Sequence, residues 1–480
     1  MGSGRRTSMT AGGKRAERAK SGARKAAPRV APLYKRLPHG PHRLKRDEVI
    51  LNQRARIHGA LIEAVAQDGY EGTSIKQVIG LAGVSRRSFY EQFANKEECF
   101  LVTFDLIARR EIKQIRRAYL GAGGTLEERT RAAFERFAKA IHDDRKATIL
   151  VLLEGQRAGP AGVLHLRNAA GACEQMLARV FTQEPGATPL PMPIVRGIAG
   201  GLHGMSASFI RQTNASRHID LAEEMLRWTL LFQTPAAEHL GERMATGLSA
   251  RMREISAAYG QGLHGAEAPS RDERTRLMQG VLRLVTHEDY RALSAPQIAE
   301  EANVSIDAFC ELFVDKDQCF LAALDMIGDE LLTIAADPDL VSDDWAHAVR
   351  RVLAELMRYL VNHPLQTRVL AQEAFFSGAE PYQRIVDLAQ SIATLLTEGA
   401  PEPAQSALIV DAVAGAIWHT VRCQVAGGRI ELLAALSDHL AYVVLAPFIG
   451  ADAAIEIVTE ERAPGSVSDA VCATPVLQST

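Results

Sequence analysis

The stretch Ala82–Phe100, AGVSRRSFYEQFANKEECF, decides the fold of this chain. On a helix, Phe89 and Phe93 lie four residues apart on one face and pair as core residues, which leaves cations and hydroxyls on the other face. A short helix with an apolar back and a cationic, hydrogen-bonding front suits the major groove of DNA. A second short helix, Ser74 to Ala82, comes just before it, and Gly83 supplies the positive φ of the turn. The pattern predicts a helix-turn-helix.

The neighbouring residues extend this prediction to a module of several helices. A first helix should run from about Asp47 to Gln67 and end at Gly69, a glycine in the C′ position. Side-chain caps mark the starts of the next helices: Ser74 with Gln77, Ser85, and Asn95 with Glu98. Lys96 falls in the first turn of the fourth helix, where the helix dipole disfavours a cation. We therefore expect Lys96 to serve a group outside the helix, such as a phosphate.

The run from Arg54 to Asp105 resembles the DNA-binding domain of the TetR family of bacterial transcription regulators. The similarity rests on four segments: Gly69–Ser74, Val84–Arg86, Phe89–Phe93 and Asn95–Glu97. One position departs from it, since the family most often has His where this chain has Gln92. The resemblance implies an all-α fold in which the three-helix module precedes a helical ligand-binding and dimerisation domain. It also implies a repressor that binds double-stranded DNA and a small-molecule inducer, whose identity the sequence does not reveal, with no cofactor.

The residues expected to contact DNA lie on or beside the two short helices. Arg86 and Arg87 would contact bases or phosphates at the start of the recognition helix, and Ser88 and Tyr90 would add further contacts. Thr73 and Lys96 would fix the module on the DNA backbone. The full predicted set is Thr73, Ser74, Ser85, Arg86, Arg87, Ser88, Tyr90, Gln92 and Lys96.

The same pattern returns 220 residues later without a gap. Core and cap residues recur, among them Tyr70 as Tyr290, Ser85 as Ser305, Phe89 as Phe309, Phe93 as Phe313 and Lys96 as Lys316. Gly83 becomes Asn303, the next most tolerant residue at positive φ. This register indicates a tandem duplication of two TetR-like units.

The two copies differ on the face that would meet DNA. Arg86, Arg87, Ser88, Tyr90 and Gln92 are replaced by Ile306, Asp307, Ala308, Cys310 and Leu312. A carboxylate repels phosphates, and lost cations lower the counterion-release contribution to affinity. We therefore interpret the second module as a helix-turn-helix that has lost DNA binding, with apolar residues that could pack on another surface.

These observations divide the chain into seven parts. They are a basic arm (1–46), a DNA-binding domain (47–107), a helical regulatory domain (108–259), a linker (260–270), a degenerate helix-turn-helix (271–328), a second regulatory domain (329–456) and a tail (457–480). The arm carries fourteen Lys or Arg and one acid, Glu17, although the whole chain has a net charge of −2. We expect disorder in the arm and tail. The arm is either a solvated tail or a segment that lies along DNA.

Composition narrows the class of protein. Hydrophobic residues make up 47% and charged residues 23%, which suits a soluble helical protein. No apolar run reaches the ~18 residues that a membrane span needs.

The six cysteines show no CxxC or metal spacing, so we expect reduced thiols in the cytoplasm and no metal site. Gly204–Ser208 lacks the closing glycine of a nucleophile elbow, and we expect no enzyme.

Candidate effector contacts are expected on the regulatory helices. They follow from the family's pocket and from aromatic density: Glu154, Arg157, His165, His203 and Phe209 in the first half, and Phe375, Phe376, Tyr382, Trp418 and His419 in the second. Each of these residues could instead be core packing or a solvated face.

Intrachain pairing is expected between helices near Ile194–Ile210 and Leu221–Phe232 and helices near Leu408–Ala426 and Leu432–Phe448. Such a pseudo-dimer has one competent reading head, so it would need the basic arm or a second chain for useful affinity. A homodimer of chains stays open. Two alternatives to a ligand-responsive regulator are a scaffold that binds a protein partner and a DNA binder that responds to no small molecule.

Overall fold

The computed structural model describes residues 46–182, 189–212, 219–234, 240, 244, 272–338, 340, 344–401 and 408–460. Every regular element in these ranges is a helix, which confirms the all-α class. The expected arm, apart from Arg46, and the linker 260–270 lie outside the described residues. The last helix runs to Thr459, past the expected boundary at 456, and the tail beyond 460 is not described.

In the described residues, the first half begins with the three helices of the module and continues with six more. They are α1 (Arg46–Gly72), α2 (Ile75–Ala82), α3 (Arg86–Tyr90), α4 (Lys96–Ala122), α5 (Leu126–Asp143), α6 (Arg145–Leu152), α7 (Gly159–Val180), α8 (Met192–Arg211) and α9 (Leu221–Leu230). Gly69 has the expected positive φ of 70°, although α1 continues through this kink to Gly72. Pro160 fits the first turn of α7, where its missing N–H has no helical partner to lose.

The second half repeats the order of the first four helices. It contains α10 (Glu273–Val285), α11 (Ala295–Glu301), α12 (Ile306–Leu312), α13 (Lys316–Ala335), α14 (Trp345–Asn362), α15 (Pro364–Arg368), α16 (Ala374–Phe376), α17 (Ala379–Thr397), α18 (Ile409–Ala426), α19 (Ser437–Ile449) and α20 (Ala451–Thr459). A π-helical turn, Val369–Glu373, joins α15 to α16. Helices α4 and α13 run through the expected boundaries at 107 and 328, so each module is continuous with its regulatory helices.

The two helix-turn-helix modules have matching backbones and cores. Residues 81–100 and 301–320 have the same burial class at every one of their twenty positions. The turns coincide as expected, with φ of 60° at Gly83 and 51° at Asn303, which is the one non-glycine residue with positive φ in the described ranges. The ring centroids of Phe89 and Phe93 are 5.7 Å apart, and those of the equivalent pair 5.8 Å apart. The core and the turn are therefore preserved together.

A lysine holds the same place in both modules. The Lys96 ammonium donates to the Tyr70 carbonyl oxygen at 2.9 Å and lies 4.3 Å from that ring's centroid. Lys316 makes the equivalent bond to Tyr290, also at 2.9 Å, and lies 4.8 Å from its ring. The repetition indicates that this lysine fastens α4 to the end of α1 and α13 to the turn that follows α10.

The two modules differ in how they join the rest of the molecule. Buried apolar residues of the first module form a core of their own, which α6 extends with Ala147 and Leu150. Those of the second module belong to the large core that also holds α8, α14 and α18. The first module is therefore the more independent unit.

Helices α8 and α18 cross closely and join the two halves of the chain. Gly200 lies at the crossing, where an added Cβ would lie 2.6 Å from the Gly415 carbonyl oxygen and 2.6 Å from His419 Cβ. Further along, the rings of Phe232 and Tyr442 meet edge to face with centroids 5.7 Å apart. Small residues thus allow the two backbones to touch, and aromatic packing extends the contact.

One segment is long and apolar enough to cross a membrane by composition. This segment is Ile430–Ile449. It contains Glu431 and Asp438, so it is not an uninterrupted apolar run and the sequence did not indicate it. Since 72% of its most apolar window is buried inside the molecule, it behaves as a core helix.

Candidate nucleic-acid interface

Helix α3 presents the predicted cationic face to solvent. Arg86, Arg87 and Tyr90 are exposed, whereas Phe89 is buried beneath them. The Arg87 Nε donates to Glu91 at 2.9 Å, and the Arg86 guanidinium lies 5.7 Å from the centroid of the Tyr90 ring. The helix ends at Tyr90, but the Phe93 N–H still donates to the Phe89 carbonyl at 2.9 Å. Helical hydrogen bonding therefore extends through the predicted segment.

Two serines shape the start of this helix. Ser85 caps it, since its Oγ accepts from the Ser88 N–H at 3.0 Å, and the two hydroxyls lie 2.9 Å apart. Gln92 is half-buried, its amide donates to the Ser88 carbonyl at 3.2 Å, and its Oε1 is buried without a hydrogen-bond partner among the described residues. Ser85 and Ser88 can still turn a hydroxyl outward, while Gln92 is directed mainly at its own helix.

Helix α2 starts with a cap that is simpler than expected. The Ser74 Oγ accepts from the Gln77 N–H at 3.2 Å, as predicted. In a full capping box, the Gln77 side chain would also bond back to the Ser74 N–H. This second bond does not form here, because the Gln77 amide bonds to Asp68 instead. The full box forms in the second module, where the Ser294 N–H donates to Gln297 Oε1 at 3.0 Å.

Thr73 and Lys96 do not point freely toward the groove. Thr73 is 2% exposed, and its hydroxyl donates to the Gly69 carbonyl at 2.7 Å, so a phosphate contact by its side chain does not fit. The Lys96 ammonium is held by the Tyr70 carbonyl, and burial, with Arg291 nearby, lowers its pKa. The expectation that Lys96 exists to bind a phosphate overlooked this internal partner, which offsets the unfavourable helix dipole.

Lys76 is a candidate contact that the sequence interpretation missed. It is exposed in the first turn of α2, two residues after Ser74. Its equivalent in the second module is Pro296, so the cation is lost there together with Arg86 and Arg87. Alignment of the two modules at an offset of 220 residues could have identified Lys76, because the cation at this position is absent from the second module.

The second module presents a different surface at the same positions. Ile306 is 41% exposed and Val314 86% exposed, and Asp307 and Cys310 are also exposed. Leu312 is half-buried and packs against the large core. This face carries no cation at the positions of Arg86 and Arg87.

Glu154 connects the first module to the regulatory helices. It is buried, and its Oε2 accepts from the Tyr70 N–H at 2.8 Å. Arg157 pairs with the same carboxylate at 3.1 Å. These two candidate effector residues therefore have structural partners, and they couple the end of α1 to the start of α7.

Four of the candidate effector residues meet in one cluster between the halves. The Phe375 ring has its centroid 5.5 Å from that of Tyr382 and 6.4 Å from that of Trp418. The Arg157 guanidinium lies 4.8 Å from the Tyr382 ring centroid. Trp418 Nε1 is buried and has no hydrogen-bond partner among the described residues. The cluster thus joins a cation of the first half to aromatic rings of the second.

The candidate histidines have distinct surroundings. His165 pairs with Asp105 at 2.7 Å and His419 with Glu174 at 2.9 Å. Burial, reinforced by nearby His419 and Arg422, lowers the pKa of His203 to about 3, so it is neutral. Burial opposes protonation of His419, but hydrogen bonds with Cys423 and Glu174 raise its pKa to about 9. Phe209 is partly buried against the large core.

A cavity of about 670 Å³ lies where the two modules meet the regulatory helices. Its lining includes Tyr70 and Glu97 of the first module, His287 and Arg291 of the second, and two candidate effector residues, Arg157 and Phe376. The other candidates lie outside its lining. At its side, Arg291 pairs with Glu71 at 2.8 Å, so the modules touch within one chain.

The exposed cationic helix on a buried aromatic base is the geometry of a helix-turn-helix DNA-binding protein. Residues 59–103 match the profile of the family described as bacterial regulatory proteins, tetR family. The chain is similar to the HTH-type transcriptional activator FasR of Mycolicibacterium smegmatis, with 27% identity over 180 residues that span 37% of this chain and 78% of FasR. Both comparisons confirm the predicted resemblance of the first module to the TetR family of transcription regulators.

Among solved structures, the chain is similar to the fatty acid degradation regulator FadR from Bacillus halodurans. The two share 19% identity with a TM-score of 0.34, over 37% of this chain and 94% of that one.

Proposed function

We propose that the first module reads operator DNA and that the second, a duplicated copy, serves as its structural partner in an intrachain pseudo-dimer. The observation that carries this proposal is the contrast between matched surfaces. The two modules share burial at twenty successive positions, yet Arg86, Arg87 and Lys76 have no cationic counterpart in the second. A module that keeps its fold without its cations suits a role in packing rather than in binding phosphates.

The packing of the modules supports the same division of roles. The core of the reading head is separate from the large core, although α6 contributes Ala147 and Leu150 to it, whereas the second module shares the large core with the regulatory helices. A helix-turn-helix that must adjust to DNA needs a core separate from the rest of the molecule. A structural partner needs a core that is shared with the regulatory helices.

The contacts between the halves support a pseudo-two-fold axis. In a two-fold interface, residues near the axis contact their own equivalents. Glu71 and Arg291 occupy equivalent positions and form an ion pair. The dipeptide Ala199–Gly200 recurs as Ala414–Gly415 at an offset of 215 residues, and Gly200 meets Gly415. Two such contacts at separate levels of the molecule are the arrangement expected of a dimer formed within one chain.

The cavity between the modules is the proposed place for a small-molecule effector. Its walls belong to both modules and to the start of α7, so an occupant would change how the modules sit relative to each other. Differential affinity for two module arrangements is what a ligand needs to act as a switch. We propose that the protein is a cytoplasmic regulator and that effector binding in this cavity changes its affinity for DNA.

DNA binding by the full chain tests the proposal. Selection from a random duplex pool should recover one half-site for a single competent head, whereas an inverted repeat would mean that two chains bind together. Affinity should fall steeply between ~50 and ~200 mM salt. Failure to bind any duplex at low salt would overturn the proposal.

We propose repression as the direction of regulation, by resemblance to the family. The curated relative carries the name of an activator, so a reporter assay must decide. Deleting the regulator should raise expression from a promoter that contains the selected site. A fall in expression would reverse the assignment while leaving DNA binding intact.

A protein scaffold is the second candidate function. It is favoured by the exposure of Ile306 and Val314 on the second module, which suits a partner surface better than a DNA groove. Capture of a partner by a chain that binds no DNA would support this alternative.

A further inference from the structure

Three potential metal ligands converge where the halves of the chain meet. They are Glu174 on α7 and His419 and Cys423 on α18, and their ligand atoms all lie within 4.8 Å of one another. His419 Nε2 is 2.9 Å from Glu174 Oε1 and 3.5 Å from Cys423 Sγ. Glu174 is buried, and the other two are half-buried.

The direction of these contacts argues against a catalytic relay. In a nucleophile, histidine and acid relay, the thiol and the carboxylate engage opposite ring nitrogens, so that the acid orients the base. Here both groups approach the same nitrogen, His419 Nε2, which has a single proton to share. Three ligand atoms around one point are the arrangement of a coordination site.

We propose that Glu174, His419 and Cys423 bind a divalent metal ion of the zinc class, which would bridge the two halves of the chain. Thiolate, imidazole and carboxylate are the ligand types that zinc takes, and three of them leave a fourth position for water. His419 and Cys423 stand four residues apart, so they lie on one face of α18, the spacing by which helical histidine pairs hold zinc. Glu174 completes the set from the other half.

Outer contacts already orient the carboxylate. Arg196 lies 3.4 Å from Glu174 Oε2, while Oε1 faces the histidine. Partners of this kind fix the ligand and commonly influence metal affinity by 10–100-fold. Arg167, on the same helix α7, donates to the Ala426 carbonyl at the end of α18 at 3.0 Å. The proposed ion would therefore strengthen an existing contact between these two helices.

The three proposed ligands could not be recognised from their spacing in the sequence. Glu174 and His419 are 245 residues apart, so the search for ligand spacings, which expected no metal site, could not find them. The inference goes beyond the proposed function and does not depend on it, because metal binding is measured without DNA.

Cobalt titration of the purified, metal-stripped full chain tests the site. Co²⁺ should bind one per chain, with a thiolate-to-cobalt charge-transfer absorption and tetrahedral visible bands, and Zn²⁺ should displace it. Cys423→Ser should abolish the charge-transfer absorption, and Glu174→Gln should weaken Co²⁺ binding at least about tenfold. Cys310→Ser is the matched control, since Cys310 is exposed on the second module, and it should bind cobalt normally.

A second measurement uses the unaltered chain, in case a variant fails to fold. Zn²⁺ should slow alkylation of Cys423 by iodoacetamide, followed by mass spectrometry, and should leave alkylation of Cys310 unchanged. The proposal is overturned if cobalt produces no thiolate absorption, if Cys423→Ser retains it, or if zinc leaves Cys423 as reactive as before.

Discussion

Glu71 and Arg291 occupy equivalent positions of the two modules and form an ion pair of 2.8 Å with each other. In a homodimer of identical modules, this position would bring two like charges together. The difference between the two modules replaces that repulsion with attraction, which arises whenever a first module meets a second one. The pair supports the proposed pseudo-dimer of two different modules.

Reversing one charge of this pair should loosen the contact between the modules. Arg291→Glu would place two carboxylates together, and the side chains are 58% and 34% exposed, so we expect a loss of only about 0.2–1 kcal/mol. The double variant Glu71→Arg with Arg291→Glu should restore most of it. A double-mutant cycle on urea unfolding measures the coupling, and additive losses would show that the pair contributes nothing.

Removing a cation from the reading head should weaken DNA binding far more than the same change in its partner. Arg87→Ala removes an exposed cation of α3 and should cost roughly 1–3 kcal/mol of binding free energy. Asp307→Ala, at the equivalent position, is the matched control and should leave affinity nearly unchanged. Fluorescence anisotropy with the selected duplex measures both variants. A large loss with Asp307→Ala would mean that the second module also meets DNA.

Adding a methyl group at the crossing of the halves should destabilise the fold. In Gly200→Ala, the new Cβ would meet the Gly415 carbonyl oxygen and His419, and overpacking of this kind costs about 1–3 kcal/mol. Gly171→Ala is the control, because a Cβ there meets nothing within 4 Å, and alanine in a helix interior should stabilise by roughly 0.5–1 kcal/mol. Denaturant unfolding followed by circular dichroism measures both. Equal stability of the two variants would count against the close crossing.

Acid should destabilise the first module through His58. Burial, with Arg54 nearby, lowers the pKa of His58 from 6.5 to about 4, so this residue's contribution is complete above pH 6.5 and is lost as the pH falls toward 4. The shift corresponds to about 3 kcal/mol. In the second module the equivalent residue is Met278, which is also buried.

His58→Met should therefore remove most of this acid sensitivity. Hydrogen exchange of α1 and α4 peptides at pH 7 and pH 5, corrected for intrinsic exchange rates, reports the local stability of the module. Peptides of α10 and α13 in the second module serve as the internal reference. An unchanged pH dependence in the variant would assign the effect to another group.

Sequence patterns predicted the modules well, because their caps, core and turn depend on residues close together in the chain. The positive φ at Asn303 is an example, since it follows from the position of Gly83 one repeat earlier. The role of Lys96 was harder to infer, because its partner is a backbone carbonyl 26 residues away. Every residue has such a carbonyl, so the sequence does not indicate which one binds a side chain.

The clustering of the candidate effector residues could be predicted in part, while their contact with an effector stays a prediction. Aromatic density in the second half indicated Phe375, Tyr382 and Trp418, which do meet in one cluster. Their contact with Arg157 and the pairing of His419 with Glu174 depend on how the halves pack. Periodicity within one helix carries no information about which helix of the other half will face it.

The crossing of α8 and α18 has a consequence for the cell. Two separate subunits must find each other, so the fraction assembled depends on how much protein is made, whereas segments of a single polypeptide meet at a local concentration set by their tether. Pairing across this contact is therefore insensitive to dilution. For the proposed pseudo-dimer, a few copies per cell should be as fully assembled as many, and site occupancy should follow expression linearly at low abundance.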